Sequence, residues 1–183
     1  MTRTVTRVLA VLVLSVLCTG CTSRLIGEGM GVARGASGKL VTVAMVPDLT
    51  AYKGIRVERI AVAADLDVPA EMPDLIRTDL TAVAAGRGLT PDGQPALTLS
   101  GEIVHYETAG TVDTAIGPLA EVIVRAKLVN AQRGNVVALA NLVGRSKATV
   151  SSSPKDLSAG VGKALDKWLK EGGLKKAKEN EKE

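Results

Sequence analysis

This chain is short of the residues that most often carry chemistry or stack on bases. Its 183 residues include no Phe, one Trp, two Tyr, one His and two Cys. A nucleic-acid surface usually interleaves lysine and arginine with aromatics, and no such patch occurs, so nucleic acid is not expected as a partner. The core must be built from Val, Leu, Ile and Ala. A lone imidazole cannot make a metal site without carboxylate or thiol helpers. No serine sits in a G-x-S-x-G elbow, so that route to a nucleophile is missing. Both cysteines, Cys18 and Cys21, fall near the amino terminus, which leaves the rest of the chain without a disulfide framework or a thiol cluster. The net charge of +4 is modest, and two of its contributors, Arg3 and Arg7, lie at the extreme amino end.

What is present there is an ordered segment. Arg3 and Arg7 precede an uncharged apolar run, Val8 to Leu17, followed by Leu17-Cys18-Thr19-Gly20-Cys21. A basic stretch, an apolar stretch and a small-residue cleavage site make a secretory signal. A cysteine directly after small residues resembles the lipobox of bacterial lipoproteins. In that family the cysteine is acylated and becomes the first mature residue. The resemblance implies cleavage after Gly20 and lipidation of Cys21, with palmitate-type chains. The family's usual leucine three places before the cysteine is here Cys18, with Leu17 one further back. Cys18 is the weaker acceptor, because bulky Leu17 would occupy its cleavage position. The apolar run is shorter than the about 20 residues a spanning helix needs, which speaks against an uncleaved anchor; plain secretion is the other alternative. Each buried CH₂ adds about 0.8 kcal/mol and one chain holds only marginally, so the multiple chains typical of the family would make attachment effectively permanent. Thr22 stands where an aspartate would alter sorting in some Gram-negative bacteria, and its identity resembles outer-membrane sorting. The expected location is therefore the cell envelope, lipid-anchored, at the outer membrane facing the periplasm.

The chain then divides into segments: a signal over 1–20, a lipidated glycine-rich tether over 21–38, one domain over 39–172 and a disordered charged tail over 173–183. Glycines at 27, 29, 31, 35 and 38 keep the tether from burying apolar surface. Gly38-Lys39 ends this run, but a phosphate loop needs glycine where Ala33 stands and Ser or Thr where Leu40 stands. Leu40 to Val46 is β-prone. After a turn at Pro47 to Gly54, Ile55 to Ala64 alternates and then becomes wholly apolar, which predicts a strand entering the middle of a sheet. Met72, Leu75, Ile76, Leu80, Val83 and Ala84 form one helical stripe over 70–85, with Pro69 and Pro73 at its front and Gly86 and Gly88 at its stop. Leu89-Thr90 is a short element. Strands are predicted from Leu97 to Tyr106, from Ala120 to Leu128 and from Val136 to Val150, with a loose connection over 108–117 and a tight turn at Gln132-Arg133-Gly134-Asn135. Leu97, Leu99, Gly101 and Ile103 share one face of the first; Thr98, Ser100, Glu102 and Tyr106 are assigned to the other. A last helix starts at a Ser153 cap with Pro154 behind it and carries Leu157, Val161, Ala164, Leu165, Trp168 and Leu169 on one side.

These elements predict an α+β fold: a mostly antiparallel sheet of four to five strands with two helices packed on one face, in strand-helix-strand-strand-strand-helix order, with an extra leading strand. Tyr52-Lys53 leading into a strand, and Arg133-Gly134-Asn135 between strands before a final helix, resemble uncharacterised α+β domains of bacterial envelope lipoproteins, over roughly residues 48–170. The resemblance implies an accessory role in the envelope and transfers no catalytic residue.

Chemistry has few candidates. His105 sits near a strand end beside Tyr106; Glu107 shares its face, and Glu102, three residues back, is placed on the opposite one. The reading is that the protein is not an enzyme, with no cofactor and no metal. Two non-enzymatic roles compete. One is a binding or assembly module, held to the membrane by its lipid, whose strand edge docks an envelope protein partner by β-augmentation. The other is a small-ligand carrier with a cavity lined by residues such as Leu97, Val122 and Trp168. A filled core with an exposed strand edge favours the first; a cavity of a few hundred Å³ favours the second.

Overall fold

The two helices carry the most explicit local signals, and both form. The computed structural model of the chain describes residues 37–44, 46–108, 120–145 and 153–177. Helix α1 spans Met72–Gly86, buries Met72, Ile76, Leu80 and Ala84, and places Pro73 in its first turn. Gly88, in the left-handed region at φ 76°, ends it and lets the Leu89 N–H return to the Ala84 carbonyl at 3.1 Å. Helix α2 spans Pro154–Glu171. Ser153 caps it reciprocally: its hydroxyl oxygen accepts from the Asp156 N–H at 3.2 Å, while the Asp156 carboxylate accepts from the Ser153 N–H at 3.3 Å. Among the described residues, no helix is long and apolar enough to cross a membrane.

Among the described residues six strands make one mixed sheet: β1 (Ser37–Thr42), β2 (Gly54–Val57), β3 (Ala61–Val62), β4 (Ala96–Glu107), β5 (Glu121–Asn130) and β6 (Val136–Arg145). The spatial order is β1-β6-β5-β4-β2, with β3 also on β4. Along β1, β6, β5 and β4 each neighbouring pair is antiparallel, but β2 and β3 run parallel to β4. The expected count of four to five strands is corrected to six; the mostly antiparallel expectation broadly holds, with β2 and β3 as the parallel departures. The cause of the parallel pairs is topological: α1 is the crossover between β3 and β4, and a parallel neighbour needs such a crossover. The run 55–64 does not enter the middle of the sheet; it breaks into two short edge strands. Ile60 is buried between them and packs over Gly101 of β4, where any Cβ would meet the Ile60 Cδ1 at 3.2 Å. Ile60 fills the space over Gly101 where the chain leaves the ladder.

The core lies between the sheet and the helices. Val122, Val124, Ala126 and Leu128 of β5 face inward with Ala138, Ala140 and Leu142 of β6, while Arg125 and Lys127 face the open side. Asn130 accepts at its side-chain oxygen from the N–H groups of Gln132 and Arg133, at 3.0 and 2.9 Å, and Gly134 takes φ 69°, so the tight turn forms where the sequence predicts it. Helix α2 seats directly on β1 and β6 through glycines. A Cβ at Gly144 would lie under 3.0 Å from the Leu157 carbonyl oxygen, and one at Gly160 would lie under 3.0 Å from the Ser37 carbonyl oxygen and the Gly144 Cα. Glycine inside a helix costs about 0.5–1 kcal/mol relative to alanine, and backbone-to-backbone contact is what it gains here. Gly38 belongs to the same seam, so β1 starts inside the segment expected as tether. The tail also differs at its start: Leu174 is buried, and the Ala177 N–H donates to the Gly86 carbonyl at 3.0 Å. An apolar side chain meeting the end of α1 holds residues 173–177 against the domain. The connection over 109–117 lies outside the described residues.

Candidate functional site

Cys21 and Gly20, the residues on which the anchoring expectation rests, lie outside the described residues. The other candidates can be placed. A β-bulge between Ile103 and His105 shifts the register of β4 on β5, leaving Val104 as the extra residue. Beyond the bulge His105 pairs with Ile123 and Tyr106 with Val122. This reverses the expected faces: His105 joins Glu102 on the open side, and Tyr106 turns inward against the core. Burial, then Glu71 and Asp67, push the Tyr106 hydroxyl above its ordinary pKa. His105 Nε2 lies 3.7 Å from Glu107 Oε2, with side chains 43% and 47% exposed. Among the described residues no three His, Cys, Asp or Glu side chains come together as metal ligands. Leu97, Val122 and Trp168, expected to line a carrier cavity, are all fully buried members of one contiguous core.

The sheet edges differ. On the β2 side, Thr90 bridges Gly54. The Ile55 N–H donates to the Thr90 carbonyl and the Thr90 N–H to the Lys53 carbonyl, both at 3.1 Å, so the start of β2 is covered by its own chain. On the β1 side the Val43 N–H donates to the Leu139 carbonyl at 3.1 Å. That bond sets the alternation of an antiparallel edge. Lys39, Val41 and Val43 turn their backbone groups to β6; Gly38, Leu40 and Thr42 turn theirs outward. The outward Gly38 carbonyl accepts from Lys167 Nζ at 2.6 Å. Leu40 and Thr42 present N–H and C=O groups with no partner among the described residues. Val41 and Val43 stand beside them on the open face, 41% and 62% exposed.

The β-prone run 40–46 signals a strand here, but its edge position is a matter of sheet order that no local pattern encodes. Lys167 reads as an ordinary helix-surface lysine. The one usable hint is glycine at 38, 144 and 160, which in strand and helix contexts marks close backbone approach.

No family model matches the sequence, and no curated protein matches it. Similarity appears in the fold. A PelC dodecamer from Paraburkholderia phytofirmans matches with TM-score 0.54 at 15% identity, over 77% of this chain and 99% of that one. A Xanthomonas campestris protein of the DUF330 family matches with TM-score 0.43 at 15% identity, over 73% and 91%. A minor lipoprotein from Acinetobacter baumannii matches with TM-score 0.35 at 17% identity, over 69% and 98%. At these identities the first likeness is one of fold.

Proposed function

We propose that this chain is a lipid-anchored accessory protein of the bacterial envelope whose folded part is a non-catalytic binding module, receiving an extended segment of another envelope protein along β1. The observation that carries it is an edge uncovered among the described residues: outward backbone groups at Leu40 and Thr42, bordered by exposed Val41 and Val43. A strand added there gains main-chain hydrogen bonds and covers apolar side chains at once. The burial of Leu97, Val122 and Trp168 in one core cluster supports the module over the carrier. Anchoring rests on the Gly20-Cys21 site, with Cys21 acylated at the outer membrane facing the periplasm. The Paraburkholderia protein of similar fold is a dodecamer, so a second copy of this chain is an outcome the test must read.

A photo-activatable side chain at Val41 and another at Val62, on the opposite edge, test the reading in intact cells. An adduct from Val41 that Thr42→Pro abolishes, with none from Val62, is the expected result. Adducts of equal strength from both positions, or one from Val41 indifferent to Thr42→Pro, would remove the edge from the account. Labelling with radioactive palmitate tests the anchor separately: label on the wild type and none on Cys21→Ser is expected, and an unlabelled wild type rejects lipidation.

A further inference from the structure

The sheet face turned away from α1 and α2 has two unlike halves. An antiparallel sheet commonly leaves one face in water and carries polar side chains there. On the β1–β6–β5 half of this face, Val41, Val43, Leu139 and Ile123 point out, the first two exposed and the others half-buried. None of the four belongs to the core. The charges standing among them are Lys39 on β1 and Arg125 and Lys127 on β5, all exposed and without an ion pair among the described residues. The acid at the end of this half, Glu121, is held by Arg145. The remaining acids lie on the other half. Glu102 and Glu107 are on β4, Glu107 beside His105, and Glu58 follows Arg56 at the far rim. Glu102 stands opposite Arg125 in register, with no ion pair between them.

We propose that the β1–β6–β5 half of the open face rests on the headgroups of an anionic lipid surface. This inference rests on the lipid-anchored reading and adds a second contact with the bilayer, made by the folded part. Attachment to such a surface grows with the apolar area buried and with attraction to negative lipid, and this half offers both. Lysine and arginine suit it, because their stems lie along apolar surface while their charged ends reach phosphate. Attraction of this kind falls off within a Debye length. The chain between Cys21 and Ser37 spans at most about 55 Å when fully extended, and Ser37 opens β1. An anchor at Cys21 therefore keeps this half at high effective concentration beside the bilayer. The contact does not use the outward backbone groups of Leu40 and Thr42, so a strand can still be added in the plane of the sheet.

The test uses the full-length acylated protein in vesicles of phosphatidylcholine with phosphatidylglycerol, or of phosphatidylcholine alone, each containing a lipid with a nitroxide on its headgroup. Val41→Cys places a fluorophore on the open face, and Thr81→Cys places one on the exposed side of α1. In the phosphatidylglycerol vesicles the Val41 label should be quenched and the Thr81 label should stay bright. The quenching should be lost with phosphatidylcholine alone, in high salt, and in Arg125→Glu with Lys127→Glu. Arg125→Lys with Lys127→Arg should keep it, which separates the charge from misfolding. Equal quenching of the two labels, or quenching at Val41 that ignores salt and charge reversal, overturns the inference. A Val41 label that lipid does not quench but that is shielded from iodide overturns it in favour of a protein covering this face. Protein that floats with the vesicles while its Val41 label stays bright overturns this inference alone, whereas protein that floats with neither composition overturns the anchoring reading as well.

Discussion

The two edges of this sheet solve the same problem in different ways. An edge strand exposes unpaired backbone groups, and natural proteins blunt it by shortening, covering or charging it. The β2/β3 edge uses the first two devices. It is broken at Ile60, and its longer piece is covered by the bridge from Thr90. Among the described residues, the β1 edge shows the third. It is six residues long, and among the described residues a lysine from α2 caps one of its outward carbonyls. Cover made by backbone is permanent, whereas a cap on a long flexible side chain can be displaced. This difference is why β1, rather than β2, is the edge proposed to receive a strand.

The strongest way to break the comparison is to unseat what holds each edge. Gly144→Ala would drive a Cβ into the Leu157 carbonyl of α2, backbone against backbone with a helix that has no room to retreat. Gly54→Ala meets the Gly93 carbonyl instead, in a short turn at the surface. Overpacking costs typically 1–3 kcal/mol and occasionally more. Gly144→Ala is expected at about 3 kcal/mol and Gly54→Ala at about 1 kcal/mol, read from denaturant midpoints. The reverse ranking would mean that β6, to which β1 is paired, is held less firmly by α2 than the close contacts indicate.

A second test loosens the covered edge from a distance. Arg87, its side chain 4% exposed, donates to the Leu174 carbonyl at 2.5 Å and to Asp166 Oδ1 at 2.8–2.9 Å. It lies three residues before Thr90, so it anchors the segment that closes β2. Arg87→Met keeps the stem but leaves the Leu174 carbonyl without its donor, and should cost about 2 kcal/mol. Hydrogen exchange at the Ile55 N–H should quicken while that at Val43 does not. The hydrogen bond from Arg87, followed by its charge and those of Lys176 and Lys170, holds the Asp166 carboxyl below the ordinary carboxylate range, against the opposing effect of burial. A depressed folded pKa contributes stability above the unfolded value, near 3.8, and loses it as pH falls through the folded one. The wild type should therefore lose this contribution only below about pH 4, and Arg87→Met should flatten that part of the acid limb.

Local signals in the sequence were enough to place the helices, the β5–β6 turn and the alternation of β5. Each rests on a few neighbouring residues: Ser153 with Asp156, the stripe from Met72 to Ala84, Asn130 to Gly134. What escaped depends on distant partners. Whether Ile55 to Ala64 lies inside or at the edge is decided by the crossover through α1. The faces of His105 and Tyr106 are decided by one extra residue, Val104, which the residues themselves do not announce. Gly38 reads as tether because its reason for being glycine, the backbone of α2, lies 122 to 126 positions away along the chain, at Gly160 and Ala164. The candidate site was least legible for the same reason: an edge is a property of the assembled sheet.

The smallest expected effect isolates the edge itself. Proline removes a backbone N–H and is tolerated in a sheet only where that N–H faces away from the ladder. Val41 and Thr42 are adjacent, yet the bond from Val43 to Leu139 assigns them opposite directions. Val41→Pro deletes a bond to β6 and should cost about 2–3 kcal/mol. Thr42→Pro deletes only an outward group on an exposed residue and should cost under about 1 kcal/mol. Amide exchange in the wild type reads the same alternation without a mutation: Val41 and Val43 slow, Leu40 and Thr42 fast. If Thr42 proved as protected as Val41, the outward groups of β1 would already have a partner within the chain, and β1 would be closed like β2. If the two prolines cost the same, the alternation would be wrong and Thr42→Pro would lose its value as a selective block. A large gap between them gives a folded protein whose only lesion lies along the surface a docked strand must use.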